Sequence, residues 1–213
     1  MTISDISKLY IPKEFGSDDE NEETDSINFV FRQLDNTTHT TWGASKFIIF
    51  FDENPDEIVK IPFNGVYTLD DEERIIGFDK YINTDYCSIE AKVYEDAVDY
   101  GLSQFFAETR FGGYTESGTP YYISEKVYTM WTYDRDKKDH YSEKSFKKAT
   151  QTAESTELPA VWLAWAYEYY GDTAVQDLLD FILIEGIGDL HSDNIGYRED
   201  GSPVLLDYSN FLE

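Results

Sequence analysis

One cysteine, Cys87, is all the thiol that 213 residues provide, which excludes an intramolecular disulfide and a zinc site built on cysteines. Such a chain suits a reducing cytoplasm, and a cytoplasmic location is expected. Basic residues are scarce as well. With 17 Lys and Arg against 43 Asp and Glu, the formal net charge is -26, which repels nucleic-acid phosphates and anionic membrane surfaces at long range. Neither direct nucleic-acid binding nor membrane association is therefore expected. Long apolar runs are missing too: the longest, residues 47–51 and 160–167, fall far short of the roughly 20 residues that cross a bilayer. The opening MTISDISKLYIPKEF carries acids and no long apolar core, so no signal peptide is read there. No repeat or low-complexity tract stands out.

What is present suffices for a core. A chain that is 41% hydrophobic and 16% aromatic is too apolar to be disordered despite its charge, and its length suits one domain or one domain with two lobes. Acids cluster in residues 16–25, GSDDENEETD, and again at residues 70–73. Each cluster reads as a solvated loop or as a docking surface. Short apolar runs at residues 28–32, 46–51 and 57–63 predict three strands of an antiparallel meander. Val93, Ala97, Val98, Leu102, Phe105 and Phe106 recur at helical spacing, which predicts a helix over about residues 88–109. Residues 110–128 read as a second hairpin that brings the sheet to five strands. Residues 134–148 hold the main concentration of Lys and Arg, a solvated helix face or an anion or partner site. Pro159 opens and Gly171 closes an apolar helix carrying Trp162 and Trp165. Asp172 or Thr173 is placed to cap the next helix, residues 174–185, with Val175, Leu178, Leu179 and Ile182 as its buried stripe.

The stretch GDLHSDNIGYREDGSPVLLDYSNF, residues 188–211, has a chemical look. Asp189 and Asn194 stand five positions apart, and Asp207 closes the apolar run Val204, Leu205, Leu206 thirteen residues later. Two strand-like pieces, residues 194–197 and 203–207, flank the turn residues Glu199 to Ser202. Phosphoryl transfer needs a carboxylate to orient or deprotonate an acceptor and hard oxygen ligands for magnesium. Asp189 suits the first role, and Asn194 with Asp207 suits the second.

This stretch resembles the catalytic loop and metal-binding hairpin of the protein-kinase-like superfamily. Its D-L-H-x-x-N form followed by a strand ending in D-Y is closer to aminoglycoside phosphotransferases and small bacteriophage kinase-like proteins than to eukaryotic protein kinases. The resemblance implies an α+β, two-lobed kinase-like fold: a five-stranded antiparallel N-lobe with one helix, and a minimal helical C-lobe. The implied organisation is an acidic, partly flexible segment over residues 1–27, an N-lobe over 28–130 and a reduced C-lobe over 131–213. It further implies Mg-ATP in the cleft between lobes, with Lys60 on the nucleotide phosphates, Asn194 and Asp207 on magnesium, and Asp189 as the catalytic-loop aspartate. Glu90 or Glu95 would pair with Lys60.

Departures accompany the resemblance. Ile187 stands where the family has histidine, and the turn at residues 37–45, TTHTTWGAS, holds one glycine where a glycine-rich loop would cover phosphates. His39 in that turn is a candidate phosphate contact or an exposed loop residue, and His191 with Asp193 is a pair short of a metal site. With six residues after Asp207, no activation segment or peptide-gripping helical subdomain is expected. Two functions follow. One is an atypical kinase-like enzyme that binds ATP and magnesium and transfers phosphate to a host protein or a small acceptor. The alternative is an inactive kinase-like scaffold, plausibly viral and acting in the host cytoplasm, whose acids imitate DNA toward a basic host nucleic-acid-binding protein.

Overall fold

Large apolar side chains alternate in Lys46–Phe51 (β2), and the alternation sorts them onto two faces: Phe47, Ile49 and Phe51 are buried in the main core, while Lys46, Ile48 and Phe50 face the other way. The register with Asn54–Pro62 (β3) places Phe47 opposite Ile61 and Ile49 opposite Val59, so both strands offer the same face to that core. Thr38–Trp42 (β1), Thr109–Tyr114 (β6) and Pro120–Glu125 (β7) complete a five-stranded antiparallel sheet of order β1-β2-β3-β7-β6. The fold is α+β. In this computed structural model residues 1–18, 22–70, 72, 74–81, 85–130, 141–154 and 156–209 are described.

The chain divides into two units, Met1–Ala91 with Thr109–Glu125, and Lys92–Glu108 with Lys126–Glu213. In the first, the sheet's core face is covered by residues that the sequence reading assigned to an acidic segment ahead of the fold. A 3-10 helix, Ile3–Lys8, and the chain after it bury Ile6, Leu9, Ile11 and Phe15 at 0–2% exposure. The acids near Asp18 are thus attached to a segment anchored by apolar side chains.

Three expectations are corrected here. Residues 28–32, predicted as the first strand, form the end and C-cap of a helix, Asp25–Phe31 (α1), capped at its start by Thr24, whose hydroxyl accepts the Ile27 N–H at 3.4 Å. Five residues are too few to separate period two from period 3.6, and the buried pair Ile27 and Val30 follows the helical spacing. The first strand is instead β1, inside the threonine-rich stretch read as a turn, since β-branched residues favour a pleated surface. The helix predicted over residues 88–109 stops at Asp99 (α2, Tyr86–Asp99), where Gly101 adopts φ 72° before a 3-10 turn and β6. A further hairpin, Gly65–Leu69 (β4) with Ile75–Lys80 (β5), was not foreseen; its turn is tied by Asp70, which accepts the N–H groups of Glu72 and Arg74.

The second unit holds three helices, Glu143–Ala153 (α3), Ala160–Tyr170 (α4) and Asp172–Glu185 (α5), and a small sheet. Tyr128–Thr129 (β8), Ile195–Tyr197 (β9) and Pro203–Leu205 (β10) form that sheet in the order β10-β9-β8. Helix α4 begins after Pro159 and ends at Gly171 as its sequence predicts, and Trp162 within it is fully buried. Gly171 itself is the N-cap of α5, so neither Asp172 nor Thr173 fills that position. Residues 134–140 of the Lys- and Arg-rich stretch lie outside the described residues. Among the described residues no helix is long and apolar enough to cross a membrane.

Candidate functional site

In the first unit the opposite face of the sheet carries charge. Ile48 pairs in register with Lys60, so Lys46, two residues before Ile48, projects from the same face as Lys60. Helix α2 lays Glu90 beside both. Lys60 Nζ donates to Glu90 Oε2 at 2.5 Å, and Lys46 Nζ donates to Glu90 Oε1. All three are buried, at 4%, 5% and 0% exposure for Lys60, Lys46 and Glu90. Glu95 lies on the exposed side of α2, so Glu90 is the glutamate that meets Lys60. Lys46 escaped the sequence reading; its signal was a lysine opening an apolar strand with the parity of Lys60.

One turn before Glu90, burial pushes the Cys87 thiol well above its ordinary value, and the nearby Glu90 carboxylate adds to the effect. Both effects favour the protonated thiol. The N-terminus of α2 is fixed by Asp85, which accepts the Ser88 N–H at 3.0 Å and the Tyr122 hydroxyl at 2.5 Å. Burial raises the Tyr122 phenol pKa, and its bond to Asp85 raises it further.

In the second unit, α5 ends on Gly186 in the left-handed region, with the Ile187 N–H returning to the Ile182 carbonyl at 2.9 Å. Ile187 and Leu190 are buried at 6% and 1% and anchor the loop between them. Asp189 sits at φ 58°, the one non-glycine residue with positive φ among those described. Asn194 Nδ2 donates to the Asp189 carbonyl at 2.7 Å and lies 3.4 Å from its carboxylate Oδ2. The Asn194 carbonyl in turn accepts the Leu206 N–H at 2.9 Å and the Asp207 N–H at 3.4 Å. Asp189, Asn194 and Asp207 are therefore gathered by one short network, with Asp189 exposed and the other two half-buried.

Neighbours hold that network. The Asp193 N–H donates to His191 Nδ1 at 3.2 Å, and His191 Nε2 lies 3.3 Å from both Asp189 Oδ1 and Asn194 Nδ2. Glu157 Oε2 accepts the Leu190 N–H at 3.3 Å. Tyr208 is fully buried, donates to the Ala107 carbonyl at 2.5 Å and packs edge-on against Phe106, which pins the residue following Asp207. Glu157 and Tyr208 were not singled out from sequence as site supports. His39 is exposed on β1 and lies 3.4 Å from Asp52.

The donor set suits a hard cation. Asn194 donates Nδ2 to Asp189, so Oδ1 is the amide atom that could meet such a cation, and Asp207 could add a carboxylate. Among the described residues no group of three or more His, Cys, Asp or Glu side chains is gathered to hold a metal.

No family model matches the chain, and no curated protein matches it. Among solved structures it is similar to the GDP and kanamycin complex of APH(2")-IIia, at 15% identity and a TM-score of 0.36. The match covers 84% of this chain and 69% of that one. Both ligands belong to that structure. At that level of likeness, function must be read from the side chains.

Proposed function

We propose that the protein is an atypical kinase-like phosphotransferase that binds a magnesium-nucleotide complex, ATP first among them, and passes a phosphoryl group to a host protein or a small acceptor. The observation that carries the reading is the buried ion pair of Lys60 with Glu90. Burying two charges costs several kcal/mol per ion, about as much as their attraction returns, so such a pair is poor as mere stabilisation. An ammonium held at a fixed point on a sheet is what a phosphate group needs. The loop of the second unit supplies complementary chemistry. Magnesium bound to Asn194 Oδ1 and Asp207 would neutralise phosphate charge. Asp189, exposed and oriented by Asn194 and His191, would accept the proton of an acceptor hydroxyl or align it.

A melting experiment tests binding. Saturation at a hundred times the dissociation constant stabilises a fold by about 2.7 kcal/mol, so ATP or GTP with magnesium or manganese should raise the melting temperature clearly. No shift with any of the four combinations removes the nucleotide reading.

A second reading is favoured by the net charge of -26 and by acids at Glu22, Glu23 and Glu72 that are exposed. It makes the protein an acidic scaffold that occupies a basic surface on a nucleic-acid-binding partner. Asp18 is a poor test position, since it is 5% exposed and accepts the Glu22 N–H at 2.6 Å. Neutralising the exposed Glu22, Glu23 and Glu72 should spare the fold. A biological effect lost in that variant and kept in Asp189→Asn with Asp207→Ala supports the scaffold; the opposite outcome supports the enzyme.

A further inference from the structure

The nucleotide reading uses Lys60 and leaves Lys46 without a task, although the two lysines divide Glu90 between them. Lys46 Nζ takes Oε1 and Lys60 Nζ takes Oε2, with side-chain exposures of 6% and 5% for the lysines and 0% for the glutamate. They are diagonal neighbours on one sheet face, 44 and 30 positions in sequence from Glu90, and all three lie in the first unit. Two ammoniums held on one carboxylate repel each other.

We propose that Lys46 is a second cation of the phosphate-binding site, a positioning residue that anchors one oxygen of Glu90 and adds its charge beside Lys60, so that the group recognised is a polyphosphate. The inference rests on the phosphate role of Lys60. Whatever else surrounds the trio, deleting Lys46 subtracts one positive charge and lets Glu90 turn both oxygens onto Lys60. An ammonium engaged by a whole carboxylate has less attraction left for a phosphate. Lys46 thereby tunes Lys60 without having to reach the ligand.

Isothermal titration of the full chain with ATP, adenosine and inorganic triphosphate tests this on the wild type, Lys46→Met and Lys46→Arg, with circular dichroism to check folding. Lys46→Met should weaken ATP and triphosphate by about tenfold or more, the scale of one charge-assisted hydrogen bond, and leave adenosine unchanged. Lys46→Arg should recover most of the loss. Should Lys46→Met fail to fold, Lys46→Gln takes its place, keeping a hydrogen bond to Glu90 while removing the charge. Unchanged ATP and triphosphate affinity in the neutral variant overturns the proposal, as does an equal loss for adenosine or a wild type that binds neither anion. A wild type that binds triphosphate through Lys46, yet binds ATP and GTP no better, keeps Lys46 in its role and removes the nucleotide reading.

Discussion

Asp189 concentrates two constraints in one residue. Its φ of 58° belongs to the left-handed region, which costs most L-residues about 1–2 kcal/mol and is tolerated best by Gly, Asn and Asp. Its carboxylate is the proposed base. Asp189→Asn separates the two, since asparagine accepts the backbone but not the proton. The variant should keep the wild-type melting temperature and nucleotide affinity while transfer falls about a hundred- to ten-thousand-fold. Asp189→Ala should lose about 1 kcal/mol of stability in addition, measured by denaturant midpoint. Full transfer activity in Asp189→Asn would refute the role. A few residues on, Gly196 is required by close approach: a Cβ there would lie 2.0 Å from the Tyr128 carbonyl oxygen. Gly196→Ala must push β9 away from β8 and should cost about 1–3 kcal/mol.

Helices α3 and α4 are joined by a titratable contact. Glu168 on α4 accepts the Ser142 N–H at 2.9 Å and the Ser145 hydroxyl at 2.6 Å, where α3 begins. Hydrogen bonding from the Ser142 side chain, then from the Ser145 hydroxyl and the Ser142 N–H, holds the Glu168 carboxyl down to about 2. A glutamate in the unfolded chain titrates near about 4.3, so the folded value is depressed. The stabilisation is then present above the unfolded value and drains away as pH falls toward about 2. Glu168→Gln should melt below the wild type at neutral pH, and the gap should close as pH falls through that window. A gap independent of pH would assign the contact to packing. Helix α5 shows how periodicity is read and overread: Val175, Leu178 and Ile182 are buried as the stripe predicts, and Phe181 joins them. Leu179 is half-buried, while Leu183 and Ile184 stand 82% and 67% exposed.

The whole molecule carries a formal charge of -26, and like charges confined to a compact fold repel. Salt shortens the reach of that repulsion, from a Debye length of about 30 Å at 0.01 M to about 8 Å at 0.15 M. The melting temperature should therefore rise across that range; a fall would show that ion pairs such as Arg110 with Glu57 outweigh the repulsion. What the sequence determined by itself was whatever depends on near neighbours. The β2, β3 and β7 strands, the α4 and α5 helices bounded by Pro159, Gly171 and Gly186, and the turn before Pro203 follow from side-chain period and backbone preference within about ten residues. The Asp189 to Asn194 spacing is equally local, since one loop conformation brings the two together. Tertiary structure decided the rest. Residues 28–32 are apolar enough for strand or helix, and burial of Ile27 and Val30 chose the helix. Glu90 and Glu95 are both acids on one helix, and only the sheet face it packs on selects Glu90. Lys46 joined Glu90 for the same reason: partners 44 positions apart share no local signal, and their meeting is set by strand register and by the helix laid across it.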